Sequence, residues 1–294
     1  GDKEDPPPDS PSGTAKKTAA RNNLPNGWTC DDVGAVARET CRNWFYKTAC
    51  IRELLPRILI EAALLPCYRF LATEDEFGQI LGRLSTLVRG VGDPMVAAYC
   101  RCFVAAAGAK IAPRETAHAV ASLQDYLFSL QEVQQGKLDA YLRTNRLGKA
   151  EYLHLQAPAV DWLLGVVAPG APREVFTAIL MHYRNHCGSL EVLCLILKHF
   201  SPDHYAPFAL EMAVLIKQGH GVSSHCTAAE VMGLLGRKLG GGGSAHLTGS
   251  EAIPLLNEAW QEIAPAPLDV YMDGAAAWLG VLLRCPAYGP DEVS

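Results

Sequence analysis

From Asp31 onward, apolar positions recur every three or four residues, the period of a helix with one buried face. Ile51, Leu54, Leu55, Ile58, Leu59, Ala62 and Leu65 form one such stripe, and Phe77, Ile80, Leu81, Leu84, Leu87 and Val88 form another. Helix starts are marked as clearly. Thr73-Glu74-Asp75-Glu76, Thr227-Ala228-Ala229-Glu230 and Thr248-Gly249-Ser250-Glu251 fit the T-x-x-E capping box, in which each side chain satisfies the other residue's orphan backbone N–H. Asp93-Pro94 reads as an N-cap followed by proline at the first helical position, opening a helix that runs to Gly108. Further helices are expected at about 114–131, 137–147, 157–168, 172–187, 189–200, 204–218, 227–239, 250–263 and 268–284. Period-2 alternation is almost absent, and the short run "LCLIL" (193–197) lies inside a longer helical pattern.

The pattern predicts an all-α chain of about a dozen helices. Paired antiparallel, they repeat at about 40–47 residues, the spacing of HEAT-like α-solenoids. No internal sequence similarity accompanies that spacing, so a compact helical bundle stays open. The interruptions divide the chain further. Residues 1–29, rich in Pro, Ser, Asn and Gly, read as a disordered or linker segment, leaving 30–294 as the folded part. "LGGGGSAHLTGS" (239–250) cannot continue a helix and reads as a Gly-rich inter-helix loop, the alternative being an engineered linker. Pro56 interrupts a helical stripe, where an interior proline costs roughly 3 kcal/mol. Either one helix ends near Leu54 or Leu55 and another starts at Pro56, or a single helix kinks there.

Composition narrows the function classes. The 294 residues are 49% hydrophobic and carry a formal charge of −5, so no basic field exists for nucleic acid. No run approaches 18 uninterrupted apolar residues, and no signal peptide is visible. The first methionine is Met95, which reads as a fragment or processed piece. Seven of the ten cysteines (41, 50, 67, 100, 102, 187 and 194) sit in helical apolar patterns and no CxxC occurs, so reduced thiols are expected.

Candidate chemistry is sparse. "RGVGDP" (89–94) lacks the third glycine of G-x-G-x-x-G and follows a helix, so it reads as a tight turn whose glycines permit positive φ. His182 and His186 share a helix face at the H-E-x-x-H spacing, but Tyr183 replaces the general base. His220, His225 and Cys226 lack a further acid or cysteine at ligand spacing. No G-x-S-x-G occurs. No cofactor, metal or catalytic residue is nominated, which is the profile of a non-enzymatic interaction scaffold. A metal hydrolase using His182 and His186 is the enzyme alternative. Another helical scaffold, such as a transport receptor or a small-GTPase regulator, is the third reading.

Four ordered stretches carry a family resemblance: "ARETCRNWFYKTACIRELLPRILIEAALL" (37–65), "LVRGVGDPMVAAYCRCFV" (87–104), "APAVDWLL" (157–164) and "LLNEAWQEI" (255–263). They resemble the large subunits of the retriever complex of the Commander assembly, paralogues of the retromer large subunit. The resemblance implies a right-handed α-solenoid in the cytoplasm, peripheral to endosomes, that scaffolds the recycling of transmembrane cargo. It implies an arrestin-fold subunit docking near the start of the solenoid. It also implies a phosphoesterase-fold subunit held beyond Ser294, COMM-domain and coiled-coil proteins, and a sorting-nexin cargo adaptor. This chain corresponds to an early to middle part of the solenoid.

The resemblance also points to residues. Pro56-Arg57-Ile58-Leu59-Ile60 occupies the place of the retromer family's Pro-Arg-Leu-Tyr-Leu motif, associated with the arrestin-fold subunit, and Leu59 stands where that motif has tyrosine. Glu53, Pro56, Arg57, Leu59 and Ile60 are therefore the candidate partner-binding residues. From the stripe alone, Ile58 and Leu59 read as core, and Arg57 reads as either the contact or one member of an i, i+4 pair with Glu53 or Glu61. Arg89, Gly90, Gly92, Asp93 and Pro94 carry a second family signature, an Arg-Gly pair before a helix-opening proline. Arg89 also reads as a C-terminal helix cap.

Overall fold

The computed structural model describes residues 24–73, 76–221, 226–241 and 247–285. Its helices are α1 (Ala35–Ala49), α2 (Leu54–Leu64), α3 (Phe77–Val88), α4 (Pro94–Ile111), α5 (Ala117–Gln134), α6 (Asp139–Asn145) and α7 (Lys149–Val167). They continue as α8 (Arg173–His186), α9 (Leu190–His199), α10 (Pro202–Tyr205), α11 (Ala209–Gln218), α12 (Ala228–Gly240), α13 (Gly249–Ile263) and α14 (Leu268–Arg284). Among the described residues there is no strand; a single parallel bridge joins Ser189 to His220.

The expected caps form. Asp93 accepts from the backbone N–H groups of Met95 and Val96, each at 2.9 Å, and Pro94 opens α4. Thr227 Oγ1 accepts from Glu230 N (3.3 Å) while Glu230 accepts from Thr227 N (2.8 Å), and Glu251 accepts from Thr248 N at 3.0 Å. Glu76 likewise accepts from Thr73 N (2.9 Å), although Glu74 and Asp75 lie outside the described residues.

Helix α4 passes the stop expected at Gly108 and ends at Ile111, the glycine serving instead the close approach of His118, and three other boundaries differ from the sequence pattern because of proline. The stretch expected over 204–218 is split into α10, a 3-10 turn (Ala206–Phe208) and α11, because Pro207 has no N–H to offer. The helix expected at 157 starts at Lys149 instead, with Pro158 in its interior. Two side chains of α4 hold the backbone on either side of that proline: Tyr99 Oη donates to Leu155 O (2.8 Å) and Cys102 Sγ to Ala159 O (3.3 Å). At Pro56 the first alternative holds in kind, with proline in the first turn of a new helix, but the break falls earlier than expected. The preceding helix already ends at Ala49, and a new one starts at Leu54, so proline is its third residue. The first turn has no intrahelical partner for that N–H, so its loss costs nothing there.

The helices stack in two layers. In one, α2, α4, α7, α9, α12 and α14 pack each against the next; in the other, α3, α5 and α8 follow one another and α11 packs on α13. Arg184 of α8 bridges to Glu211 of α11 (3.2 Å), and cross-layer contacts join α3 to α4, α4 to α5, α5 to α7, α11 to α12 and α12 to α13. Each helix touches its neighbours along the stack, which is the organisation of an all-α solenoid.

The core has two main bodies. Ile58, Leu65, Leu81, Leu84, Val88 and Val104 fill the N-terminal one, and a larger cluster runs from α5 to α14. Helix α4 feeds both, with Cys100 and Val104 in the first and Ala98 and Ala105 in the second. By length and hydropathy α4 alone among the described helices could cross a membrane. It carries Arg101 and Lys110 and sits inside the stack, as the central helix of a packed core does.

Of the segment expected to be disordered, residues 1–23 lie outside the described residues. Trp28 stacks on Phe70 (ring centroids 5.2 Å apart) with the Arg69 guanidinium 5.3 Å from its ring. Residues 242–246 of the Gly-rich run also lie outside them, and α12 continues through Gly240.

Candidate functional site

The candidate motif occupies the first two turns of α2. Glu53 is the exposed N-cap, and its carbonyl accepts from Arg57 N at 3.2 Å. Ile58, Glu61 and Ala62 face inward, while Pro56, Leu59, Ile60 and Ala63 face out at the i, i+3, i+4, i+7 spacing of one helical face. Leu59 is 37% exposed and Ile60 43%, so the expectation that Leu59 joins the core is corrected. The reason is angular. Leu59 lies about 100° around the helix from fully buried Ile58, beyond the arc that the neighbouring helices cover.

Arg57 makes no side-chain hydrogen bond or ion pair among the described residues, and its Nε is buried without a partner. The i, i+4 pairing with Glu61 does not form. Glu61, 5% exposed, binds the Arg83 guanidinium instead and accepts from Tyr68 Oη at 3.4 Å. Burial lowers the Arg83 pKa, and the nearby positive charge of Arg57 lowers it further. Arg57 is thus a cation beside an ion pair that already has its cation.

The second signature touches the first. Gly90 closes the turn after α3, and a β-carbon there would lie 2.6 Å from Leu54 Cδ2, at the start of α2. That close approach explains the glycine. The expected positive φ is not its reason, since among the described glycines only 27, 136, 170 and 188 adopt it. Gly92 has open space around it and no steric requirement. Arg89 grips Asp125 of α5 with both ends of its guanidinium, Nε–Oδ2 at 2.7 Å and Nη2–Oδ1 at 2.9 Å, rather than capping α3 with its side chain. Asp93 does more than cap α4, because Tyr141 Oη also donates to it at 3.2 Å. Burial and then Asp93 raise the Tyr141 pKa.

Sequence reasoning passed over α1. This helix buries only Cys41 and Thr48 and leaves Trp44 58% exposed. Trp44 and Cys41 line an apolar cleft of about 470 Å³ with Phe45, Leu64, Cys67 and Phe70. The available signal was an aromatic run, Trp44-Phe45-Tyr46, in a helix with few other large apolar residues.

The histidine pairs build no metal centre. The rings of His182 and His186 lie 5.6 Å apart, and His186 Nδ1 sits 3.0 Å from Gln131 Oε1. Among the described residues no three His, Cys, Asp or Glu side chains gather to hold a metal ion. His220 exchanges backbone hydrogen bonds with Gly188 and Leu190, and His225 lies outside the described residues.

The family profile described as VPS35L matches residues 11–155, the stretch that holds both signatures. A VPS35 endosomal protein-sorting factor-like protein of Danio rerio is 34% identical over 265 residues, covering 89% of this chain and 27% of the relative. The chain belongs to the VPS35-like family. The Homo sapiens VPS35-like protein is 29% identical over 280 residues, 94% of this chain and 28% of the relative, and that of Dictyostelium discoideum is 33% identical over 190 residues, 64% and 19%. This chain therefore spans about a quarter of the length of its vertebrate VPS35-like relatives.

Proposed function

We propose that this chain is a non-enzymatic scaffold segment of a retromer-like endosomal sorting complex, the retriever, and that α2 is where an arrestin-fold subunit docks. The observation that carries the reading is the outward face of Pro56, Leu59 and Ile60 beside unpaired Arg57, on the motif that resembles the family's docking motif. An apolar stripe flanked by a cation without an intramolecular partner suits an interface whose other side offers an apolar groove and an acidic group. On this reading the protein works in the cytoplasm, peripheral to endosomes, and supports the recycling of transmembrane cargo. The phosphoesterase-fold subunit, COMM-domain and coiled-coil proteins and a sorting-nexin adaptor bind the wider assembly.

The test is co-purification of the full-length protein with the arrestin-fold subunit, comparing wild type with Arg57→Glu and with the double variant Leu59→Asp/Ile60→Asp. Both variants should lose the subunit while keeping the helical circular dichroism of wild type. Retention of the subunit by both folded variants would remove α2 from the interface.

A further inference from the structure

A helix face turned to water normally carries charge. That of α4 does not. From Pro94 to Ala109 its exposed positions are Val96, Tyr99 and Phe103, and the one charged residue of that span, Arg101, is buried. Neighbouring α7 repeats the pattern with Leu155, Pro158 and Trp162. Both triplets stand at i, i+3, i+7, which is one helical stripe. Two hydrogen bonds hold the stripes side by side: Tyr99 Oη donates to Leu155 O at 2.8 Å and Cys102 Sγ to Ala159 O at 3.3 Å. The bonded positions advance together, so the two helices run parallel. Tyr99, Phe103, Leu155 and Trp162 are each 41–45% exposed. Beside Trp162 the apolar surface stops, where Asp161 pairs with Lys198 (3.1 Å) and His199 (2.7 Å) of α9.

The two ends of this face carry opposite charges. Glu151 opens the α7 stripe four residues before Leu155, and Lys110 closes the α4 stripe seven residues after Phe103. Both are exposed, and neither has an ion-pair partner among the described residues. With Leu155 beside Tyr99, Glu151 falls beside Met95, so acid and base stand about 22 Å apart at 1.5 Å per residue.

We propose that the α4–α7 face receives an amphipathic helix of a partner protein, antiparallel to both helices, with its acidic first turn at Lys110 and its basic last turn at Glu151. The seam between two parallel stripes suits the single apolar stripe of a third helix, read as i, i+3, i+4 and i+7 anchors. The span between the charges matches a helix of about 15 residues. Charge sets its direction. Helices favour acids in the first turn and bases in the last, because those charges oppose the helix dipole. The antiparallel arrangement therefore brings unlike charges together at both ends, and the parallel one brings like charges together. Phe103, near the middle of the span, and Trp162 are the anchors, since aromatic side chains carry most of the energy of such interfaces. A membrane surface fits less well: Lys110 is the single cation on the two stripes, and the chain carries a charge of −5. This partner is separate from the subunit placed on α2, and the face is available whether or not α2 docks that subunit.

The experiment uses the full-length protein and a fluorescent, stapled helical peptide of about 15 residues, with one leucine stripe, glutamates in its first turn and lysines in its last. Fluorescence anisotropy should show saturable binding that Phe103→Glu and Trp162→Glu each weaken by about tenfold or more. A second peptide with its charges exchanged end for end should bind wild type more weakly, and should regain affinity for the double variant Lys110→Glu/Glu151→Lys. The α2 variant Leu59→Asp/Ile60→Asp should bind the first peptide as wild type does, which separates this face from the α2 docking site. All these side chains face out, so every variant should keep the circular dichroism of wild type. Absence of binding, equal affinity for the two charge orders, or binding that survives both Phe103→Glu and Trp162→Glu would overturn the assignment. So would a Phe103-dependent dimer in light scattering or Phe103-dependent sedimentation with phosphatidylserine vesicles, which would give the face to a second copy or to a bilayer.

Discussion

The two ends of this solenoid are packed on different terms. At the C-terminal end α12 and α14 meet backbone to backbone. A β-carbon on Gly233 would lie 3.5 Å from Gly274 Cα, and one on Gly236 would lie 2.9 Å from the Trp278 ring. Trp278 is 1% exposed and its Nε1 donates to Met232 O at 3.2 Å, so the largest side chain of the joint is fully used. At the N-terminal end α1 buries two residues and presents Val36, Trp44 and Tyr46, while α2 presents Leu59 and Ile60. The difference lies in the seams, not in how much apolar surface is left over: α14 also presents Leu268, Met272, Leu279 and Leu283, but it meets α12 backbone to backbone, whereas α1 lies on its neighbours through few buried side chains.

The sharpest way to break the comparison is at the packed joint. Trp278→Ala should cost about 3–5 kcal/mol, the range for removing a buried aromatic and leaving a cavity. Denaturant unfolding measures it directly. Trp278→Phe should recover most of the loss, leaving about 1 kcal/mol for the indole hydrogen bond. A loss below about 1 kcal/mol for the alanine variant would mean the joint is no tighter than the surface.

A second effect sits at the seam between the two bodies. His118 of α5 is 2% exposed, packed against Gly108 of α4 and Leu81 of α3, and neither ring nitrogen makes a well-formed hydrogen bond. Burial lowers its pKa below the ordinary 6.5, against a smaller opposing effect from Glu115. With the folded value depressed, the unfolded chain takes up the proton first as pH falls. Stability is then complete above about pH 6.5 and is lost progressively below it, down through the folded value. Thermal midpoints from pH 7.5 to 5 should show this slope in wild type and a shallower one in His118→Leu. Parallel slopes would assign the acid sensitivity elsewhere.

What the chain's pattern could reveal follows from how local each cause is. The caps at Asp93, Thr227 and Thr248 act over three residues and were legible, as was the helix-rich, strand-poor character. Helix α7 was misread at its start because Pro158 signals a helix start locally, and only the Tyr99 and Cys102 side chains of α4, more than fifty residues away, flank its backbone in the helix interior. Glu61 gave no sign of being buried, since its partners Arg83 and Tyr68 come from other elements. Periodicity found the stripe of α2 but not its width. Leu59 was assigned inward because a helical pattern cannot say how much of a face the neighbours will cover.

The smallest expected change in stability is the one that sharpens the comparison most. Leu59→Ser and Ile60→Ser remove apolar groups that already face out, so each should shift the unfolding free energy by no more than about 0.5 kcal/mol. Ile58→Ala, one position away and fully buried, should cost about 2–5 kcal/mol. The contrast is a property of the fold alone and needs no partner in the tube. If Leu59→Ser proves as costly as Ile58→Ala, the side chain is held by the core. The apolar face of α2 would then shrink to Pro56, Ile60 and Ala63, too narrow to hold a partner without Arg57.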